Sequence, residues 1–305
     1  MFIDKITVTV PLPRSDWEVA CENLFHVRHL SKNMMPVRNE KGYYLYNYAW
    51  VVEVQGLNGG KVRCLIQAWP KFGKTHFLRI EWTPSKAGPR AVYEIGRLMA
   101  RCIPCFYDHW QLARLTRADI TFDVFRVSIN QVLLFSDSAR TSTKRYINEE
   151  GHVTGIYIGA GSSNRRLVVY NKLLEQKKLE VSVVRDEGGK ITKRVYRSKT
   201  RFEFRLRDIG LVRESAEFAN QLNKYFVVLL YKARAYSAND SWQQFLKRSE
   251  RDGAQGALSL IADRKRRQAY KTVLKVKCTP DWFDHRQLWL EAKREIARLV
   301  PTHLT

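Results

Sequence analysis

Apolar and polar residues alternate along several segments of the chain, which is the pattern of strands with one buried face. The alternation predicts strands over residues 43–54, 61–69, 75–82, 116–125, 165–172 and 200–207. Asn58-Gly59-Gly60 predicts a hairpin turn between the first two of these strands. Apolar residues fall at helical spacing over 89–102, and a further helix is expected after Ser128.

The pattern changes near residue 210. From there on, the spacing predicts helices over residues 215–233, 241–251, 257–271 and 285–300. The chain is therefore expected to have an α+β fold, in which an antiparallel sheet carries helices on one face and a helical C-terminal region follows. We place the domain boundary so that residues 1–210 form the α+β domain and residues 211–305 form a basic helical region.

The polar faces of four predicted strands collect carboxylates, cations and a tyrosine. These side chains are Arg79 and Glu81, then Arg117, Asp119 and Asp123, then Arg166, Tyr170 and Lys172, and finally Arg201, Glu203 and Arg205. On one open sheet face, carboxylates can hold a divalent metal, a tyrosine can attack phosphorus, and cations can stabilise the charge that develops. A polar face that is simply solvated is the alternative, and alternation by itself favours it.

Charge changes this picture. The 305 residues contain 53 Lys and Arg against 30 Asp and Glu, a net charge of +23. Such an excess indicates a polyanionic partner, with nucleic acid ahead of an anionic membrane surface because no basic amphipathic helix stands apart. The run Arg264-Lys265-Arg266-Arg267 in the helical region either contacts duplex DNA or is a solvated charge run.

Other features favour a cytoplasmic protein. The five cysteines are sparse and odd in number, as in a reducing compartment. The N-terminal segment lacks the continuous apolar stretch of a signal peptide, and no later segment has the length to span a bilayer. We therefore expect a cytoplasmic location and no membrane partner.

Four segments, in this order, resemble the rolling-circle replication initiators of filamentous phages and related plasmids. They are Phe77–Lys86, Leu115–Asp123, Arg166–Glu175 and Thr200–Leu206. The resemblance covers roughly residues 75 to 210, and the region after 210 contains no comparable match. It implies a palm-like sheet and an endonuclease that nicks one strand at a replication origin through a 5′-phosphotyrosine and later rejoins it.

By position, Tyr170 matches the nucleophile of that family and Lys172 matches the basic residue two places later. Glu81 and Asp119 match acidic positions, whereas Asp123 and Glu203 are either further metal ligands or partners of the arginines. Many such initiators hold their metal with a His-hydrophobic-His pair, which this sequence lacks. The expected cofactor is therefore Mg²⁺ or Mn²⁺ held by carboxylates.

The resemblance also indicates partners. Single-stranded and duplex origin DNA are expected, contacted by Arg79, Arg117, Arg166 and Arg205 on the sheet and by Arg264, Lys265, Arg266 and Arg267 in the tail. A host helicase and polymerase are further candidate partners. Two alternatives stay open, namely a mobilisation relaxase that uses the same chemistry and a non-catalytic DNA-binding initiator or repressor.

Overall fold

The structure is a computed structural model that describes residues 1–30, 34–37, 45–57, 59–71, 76–137, 143–175, 181–185, 191–196 and 198–299. Its strands are β1 (Phe2–Pro11), β2 (Met34–Pro36), β3 (Tyr46–Gln55), β4 (Lys61–Pro70), β5 (Phe77–Trp82), β6 (Arg114–Phe125), β7 (Val132–Ser136), β8 (Thr143–Ile147), β9 (Val153–Ile158), β10 (Arg165–Asn171), β11 (Val181–Arg185), β12 (Ile191–Tyr196), β13 (Lys199–Leu211) and β14 (Tyr225–Leu229).

Its helices are α1 (Arg14–Leu30), α2 (Pro84–Cys102), α3 (Phe106–Gln111), α4 (Lys172–Glu175), α5 (Leu230–Tyr236), α6 (Asp240–Asp252), α7 (Ala254–Ser259), α8 (Arg264–Lys277) and α9 (His285–Leu299). The strand pairs are antiparallel, and helices dominate after residue 230. The predicted α+β fold with a helical C-terminal region is thus confirmed. Among the described residues, no helix has the length and apolarity to cross a membrane.

Two compact units make up the chain, and they are interleaved along it. The first contains Met1–Ile120, Leu206–Ala219 and Leu290–Thr305, and the second contains Thr121–Arg205 and Asn220–Trp289. Strands β6 and β13 contribute residues to both. The functional division into residues 1–210 and 211–305 stays a prediction, because the compact units follow different boundaries.

In the first unit the strand order is β2-β3-β4-β5-β1-β6. Alternate residues such as Val8, Ile66 and Ile80 are buried, and helix α2 covers this apolar face with side chains that include Ile95 and Met99. The spacing of these apolar positions is what drives both elements to bury one face against the other. The opposite face of the sheet is left to polar side chains, among them Glu81.

In the second unit the strand order is β6-β13-β10-β9-β8. Phe122 and Phe202 stack with ring centroids 5.0 Å apart on one sheet face. The two-stranded pair β7–β14 and helices α5 to α8 share a core that includes Phe135, Trp242 and Leu274. This core packs helices α5 to α8 against β7 and β14 within the second unit, which also contains Tyr170.

Three sequence predictions about elements are wrong. Ser128 does cap a turn, but the turn is a single 3₁₀ turn, Ile129–Gln131, and strand β7 follows it instead of a helix. The helix expected over 215–233 contains strand β14, because Tyr225–Leu229 pairs with β7. The helix expected over 257–271 is divided at Asp263, whose carboxylate accepts hydrogen bonds from the backbone N–H groups at the start of α8.

Candidate active site

Tyr170 lies on β10 at the wall of an open groove in the second unit. The residue opposite it on β9 is Gly155. A Cβ atom at Gly155 would lie 3.4 Å from the Tyr157 ring. The groove has a volume of about 480 Å³, and its walls include Tyr146, Tyr157, Tyr170 and Arg205. Tyr170 is half-buried, so its hydroxyl can be reached from this groove.

The Tyr170 hydroxyl sits among charged groups of β13. It donates a hydrogen bond to Glu203 Oε2 at 3.4 Å, and the Arg201 guanidinium also hydrogen-bonds the Tyr170 side chain. Glu203 is 4% exposed, and its other oxygen accepts a bond of 2.6 Å from Arg205 Nε. The phenol therefore has a carboxylate that can take its proton and a cation that can stabilise the phenolate.

Asp123 holds Arg201 in place from the neighbouring strand β6. Its carboxylate accepts two bonds from Arg201, of 2.6 and 2.9 Å, and pairs with Lys199 at 2.9 Å. Burial opposes ionisation of Asp123, but Arg201 and Lys199 outweigh it and keep the pKa of Asp123 below its usual range. Burial likewise opposes the charge on Arg201, yet Asp123 and Tyr170 raise the pKa of Arg201 above its usual value. The pair is thus fully ionised at neutral pH.

Further cations and aromatic rings line the same region. Lys172 begins helix α4, and its Nζ lies 5.7 Å from the centroid of the Tyr170 ring. Arg166 lies over the Tyr157 ring at 4.5 Å, and Tyr157 packs against Tyr146 with centroids 4.7 Å apart. Arg166 Nε is buried and has no hydrogen-bond partner among the residues that the structure describes. These side chains form a column across β10, β9 and β8 beside the groove.

The remaining predicted site residues of the sheet lie in the first unit. Glu81 pairs with Lys5 at 2.8 Å and with Arg79 at 2.5 Å. Burial opposes ionisation of Glu81, but Arg79 and Lys5 outweigh it and hold the pKa of Glu81 below its usual range. Asp119 accepts two bonds from Arg117, of 2.9 and 2.6 Å.

The four carboxylates predicted as metal ligands all accept hydrogen bonds from Arg or Lys. They are Glu81, Asp119, Asp123 and Glu203. Within the described parts of the chain, no three His, Cys, Asp or Glu side chains lie close enough together to hold a metal ion. In this arrangement the carboxylates do not fit a divalent ion, because their oxygens are already occupied by cationic side chains.

The polar sheet face is also more enclosed than its alternation suggests. Asp119, Thr121, Arg201 and Glu203 are all less than a tenth exposed. The expectation of a face open to solvent is therefore wrong at these positions. For Asp119, Arg201 and Glu203 ion pairing is the physical reason, because a charge that is paired and hydrogen-bonded can be buried at tolerable cost.

The predicted basic run forms the first turn of α8. Arg264, Lys265 and Arg266 are exposed, whereas Arg267 is half-buried and donates to the Ile261 carbonyl at 2.9 Å through its Nε. Arg266 also lies over the Tyr270 ring at 5.3 Å. Three of the four cations thus lie at the surface, and Arg266 also donates to the Tyr270 hydroxyl at 3.1 and 3.0 Å.

Sequence reasoning assigned no role to three residues of this region. Arg201 contacts both Asp123 and Tyr170, and it shares a strand face with Glu203, so the alternation of β13 could have singled it out. Lys199, two residues earlier, had the same signal. Tyr146 lies on β8, which the apolar pattern did not predict, and no feature of the sequence pointed to it.

Comparison with known families bears on this site. Residues 86–225 match the phage family model that describes the N-terminal region of a replication-associated protein. The predicted resemblance is confirmed. The matched residues contain Tyr170, Glu203 and Arg201 but only the last residue of the segment Phe77–Lys86. No curated protein matches the chain.

Two solved structures are similar to the chain at low scores. A rolling circle replication initiator protein from Geobacillus stearothermophilus is 18% identical, with 82% of this chain and 96% of that chain covered and a TM-score of 0.38. The di-domain ARO/CYC protein BexL from the BE-7585A biosynthetic pathway is 11% identical, with 87% and 100% covered and a TM-score of 0.20. At these TM-scores neither similarity supports a conclusion about function.

Proposed function

We propose that the chain is a DNA endonuclease that initiates rolling-circle replication of a phage or plasmid, with Tyr170 as its nucleophile. The observation that carries the proposal is the Tyr170 hydroxyl, which lies between Glu203 and Arg201 at the wall of an open groove. The match of residues 86–225 to a replication-associated family supports the same function. The net charge of +23 suits a DNA partner in the bacterial cytoplasm.

The chemistry follows from these contacts. A single strand would lie in the groove with its bases against Tyr146 and Tyr157 and a phosphate near Arg205. Glu203 takes the proton of Tyr170, and the phenolate oxygen attacks phosphorus while Arg201 stabilises the charge. The P–O3′ bond breaks, the 3′-oxygen leaves with a proton from solvent, and a 5′-phosphotyrosine remains. The reverse reaction rejoins the strand without a nucleotide cofactor, because bond energy is conserved.

Lys172 has a supporting role in this scheme. Its ammonium lies 5.7 Å from the centre of the Tyr170 ring and adds positive charge on the side where the phosphate arrives. Arg166, stacked on Tyr157, supports the aromatic surface for a base. We include Arg79 and Arg117 among the DNA contacts, together with Arg264, Lys265, Arg266 and Arg267 for duplex DNA.

A divalent ion, Mg²⁺ or Mn²⁺, remains part of the proposal because the family resemblance implies one. In the second unit its candidate ligands are Asp123 and Glu203, and in the first unit they are Glu81 and Asp119. In either unit the ion would have to compete with the present Arg and Lys partners of these carboxylates. Nicking in Mn²⁺, in Mg²⁺ and in EDTA tests this point. Full activity in EDTA would remove the metal from the proposal.

The decisive experiment compares Tyr170→Phe with the wild type on supercoiled DNA from the protein's own replicon. We expect the wild type to give nicked circles with protein covalently attached, and the variant to give neither. Tyr157→Phe serves as the matched control, since this ring lines the same groove. Nicking that survives in Tyr170→Phe and is lost in Tyr157→Phe would move the nucleophile to Tyr157.

The same experiment addresses the alternatives. Tight origin binding with no nicking by the wild type would favour a non-catalytic initiator or repressor. Nicking that occurs at a transfer origin but not at a replication origin would favour a mobilisation relaxase. After nicking, a host polymerase would extend the free 3′-hydroxyl and a host helicase would separate the strands.

A further inference from the structure

We infer that helix α8 is a recognition helix that reads base sequence in the major groove of duplex DNA. This inference rests on the proposed function only in requiring DNA as the partner, and it concerns a surface far along the chain from Tyr170. The proposed function already assigns phosphate contacts to the cations of α8. The new inference is that neutral side chains between these cations contact the bases.

The exposed face of α8 has an unusual composition. Residues spaced by three or four positions share this face and are all exposed, namely Lys265, Gln268, Ala269, Thr272 and Val276. Val276 is 67% exposed, which is a high value for a valine in a well-packed helix. The helix contains no Asp or Glu. A face of this kind is free of the acidic residues that would repel phosphate.

Apart from Lys265 the side chains of this face are neutral, and cations flank the face on both sides. Arg264 lies on one side and Arg266 and Lys277 on the other, as their positions in the helical repeat require. Phosphates border the major groove on both sides in the same way, and the groove is wide enough to admit a helix. The charge pattern of α8 is therefore complementary to duplex DNA along its length.

The opposite face of α8 is fixed to the second unit. Leu274 and Cys278 are fully buried in the core. On the side of α8 that also carries Arg264, Lys271 and Lys275 both pair with Asp137, at 2.6 and 2.5 Å. Burial opposes ionisation of Asp137, but the two lysines outweigh it and keep the pKa of Asp137 below its usual range. The helix is held rigidly by one face while the other is presented to a partner.

The connection into α8 is as short as the turn of a helix-turn-helix. Helix α7 packs against α6 and α8, and four residues, 260–263, join it to α8. Asp263 caps the helix and fixes where it begins. In helix-turn-helix proteins the N-terminal residues of the second helix contact base edges. Gln268 can pair with an adenine edge, and the methyl groups of Ala269, Thr272 and Val276 can contact thymine.

The test uses selection from duplex oligonucleotides with a randomised central segment, so the origin sequence need not be known. We expect the wild type to enrich a common motif. Gln268→Ala and Thr272→Ala should each lose preference at one or two base pairs by about tenfold, since a good base contact discriminates by about that factor or more. Their affinity for an unrelated duplex should stay within about twofold. Gln244→Ala, an exposed glutamine on α6, is the matched control and should keep the wild-type motif.

A second variant guards against a loss of fold. Ala269→Glu places a negative charge in the exposed face without disturbing buried atoms, and it should abolish enrichment while circular dichroism stays unchanged. Arg266→Ala, by contrast, should weaken all duplexes alike. The inference is wrong if the wild type enriches no motif, or if Gln268→Ala and Thr272→Ala both retain the wild-type motif.

Nicking of a single-stranded oligonucleotide separates this inference from the proposed function. We expect Gln268→Ala to nick such a strand as the wild type does. If the wild type selects a duplex motif through α8 but never nicks, the nicking function fails and the recognition helix stands. If nicking depends on Tyr170 but α8 variants leave the motif unchanged, the recognition helix fails and the function stands.

Discussion

Among single residues, Glu203 provides the sharpest test of the chemistry. Glu203→Gln keeps the size of the side chain but cannot accept the Tyr170 proton at neutral pH. We expect the rate of nicking to fall by about 10²- to 10⁴-fold, the usual effect of removing a general base. Single-turnover nicking of a single-stranded oligonucleotide measures it. Glu53→Gln is the control, because Glu53 is also paired with cations, Lys61 and Arg63, but lies on β3. A loss below about tenfold would argue that Glu203 only positions Arg205.

Asp123 gives a second prediction at this scale, concerning stability. Asp123→Asn leaves Arg201, which is 8% exposed, without its ionised partner. Breaking a buried ion pair in this way costs about 3 kcal/mol of unfolding free energy. Urea unfolding at neutral pH measures the difference. Glu18→Gln breaks the exposed Arg14–Glu18 pair and should cost less than about 1 kcal/mol.

The difference in unfolding free energy between the wild type and Asp123→Asn depends on pH, and the direction follows from the lowered pKa of Asp123. The pKa of Asp123 is lower in the folded chain than in the unfolded one, so its stabilisation is complete at neutral pH. It is lost as the pH falls below about 4 and through the folded pKa. The gap between wild type and Asp123→Asn should therefore narrow at acidic pH. If the difference in unfolding free energy stays constant down to the pH at which the protein unfolds, the pKa of Asp123 is not lowered by folding.

At the scale of elements, the column across β8, β9 and β10 predicts how a single strand binds. Tyr146 is 49% exposed and packs on Tyr157, so Tyr146→Ala removes a stacking surface with little loss of core. We expect affinity for single-stranded DNA to fall about tenfold, because stacking is worth about 1–3 kcal/mol per base. Fluorescence anisotropy with an oligothymidine measures this. Tyr93→Ala on α2 removes an equally exposed ring, and an equal loss there would show that the effect is not local.

Elements also show what the sequence could predict and where it failed. The alternation in β6 and β13 identified both strands and the face that carries Asp123 and Glu203, because period-two burial leaves a direct trace. It could not show that this face is buried, since ion pairing with Arg201 is a tertiary contact. Strand β14 was missed because five apolar residues without alternation fit a helix as well as a strand. Its pairing with β7 decides the matter.

At the scale of the whole molecule, the net charge of +23 predicts strongly salt-dependent binding to DNA. Each phosphate contact releases counterions, so the logarithm of the affinity falls linearly with the logarithm of the salt concentration. The charge alone does not say where DNA binds. If DNA contacts one surface, only the cations of that surface determine how steeply the affinity falls with salt. If the attraction is diffuse, all exposed cations contribute.

The two possibilities can be distinguished with two variants that each lose four positive charges, one in α8 and one in the first unit. Replacing Arg264, Lys265, Arg266 and Arg267 by alanine should weaken duplex binding and flatten the slope by about 3, because three of these side chains are exposed whereas Arg267 donates to the Ile261 carbonyl. Replacing Arg14, Lys61, Arg63 and Arg90, all exposed cations of the first unit, removes the same charge. We expect that control to change the slope by less than about 1, because surface charges beyond about 10 Å from a phosphate are largely screened at ordinary salt. Equal slopes for the two variants would mean that DNA responds to the overall charge, and α8 would then lose its role in duplex binding.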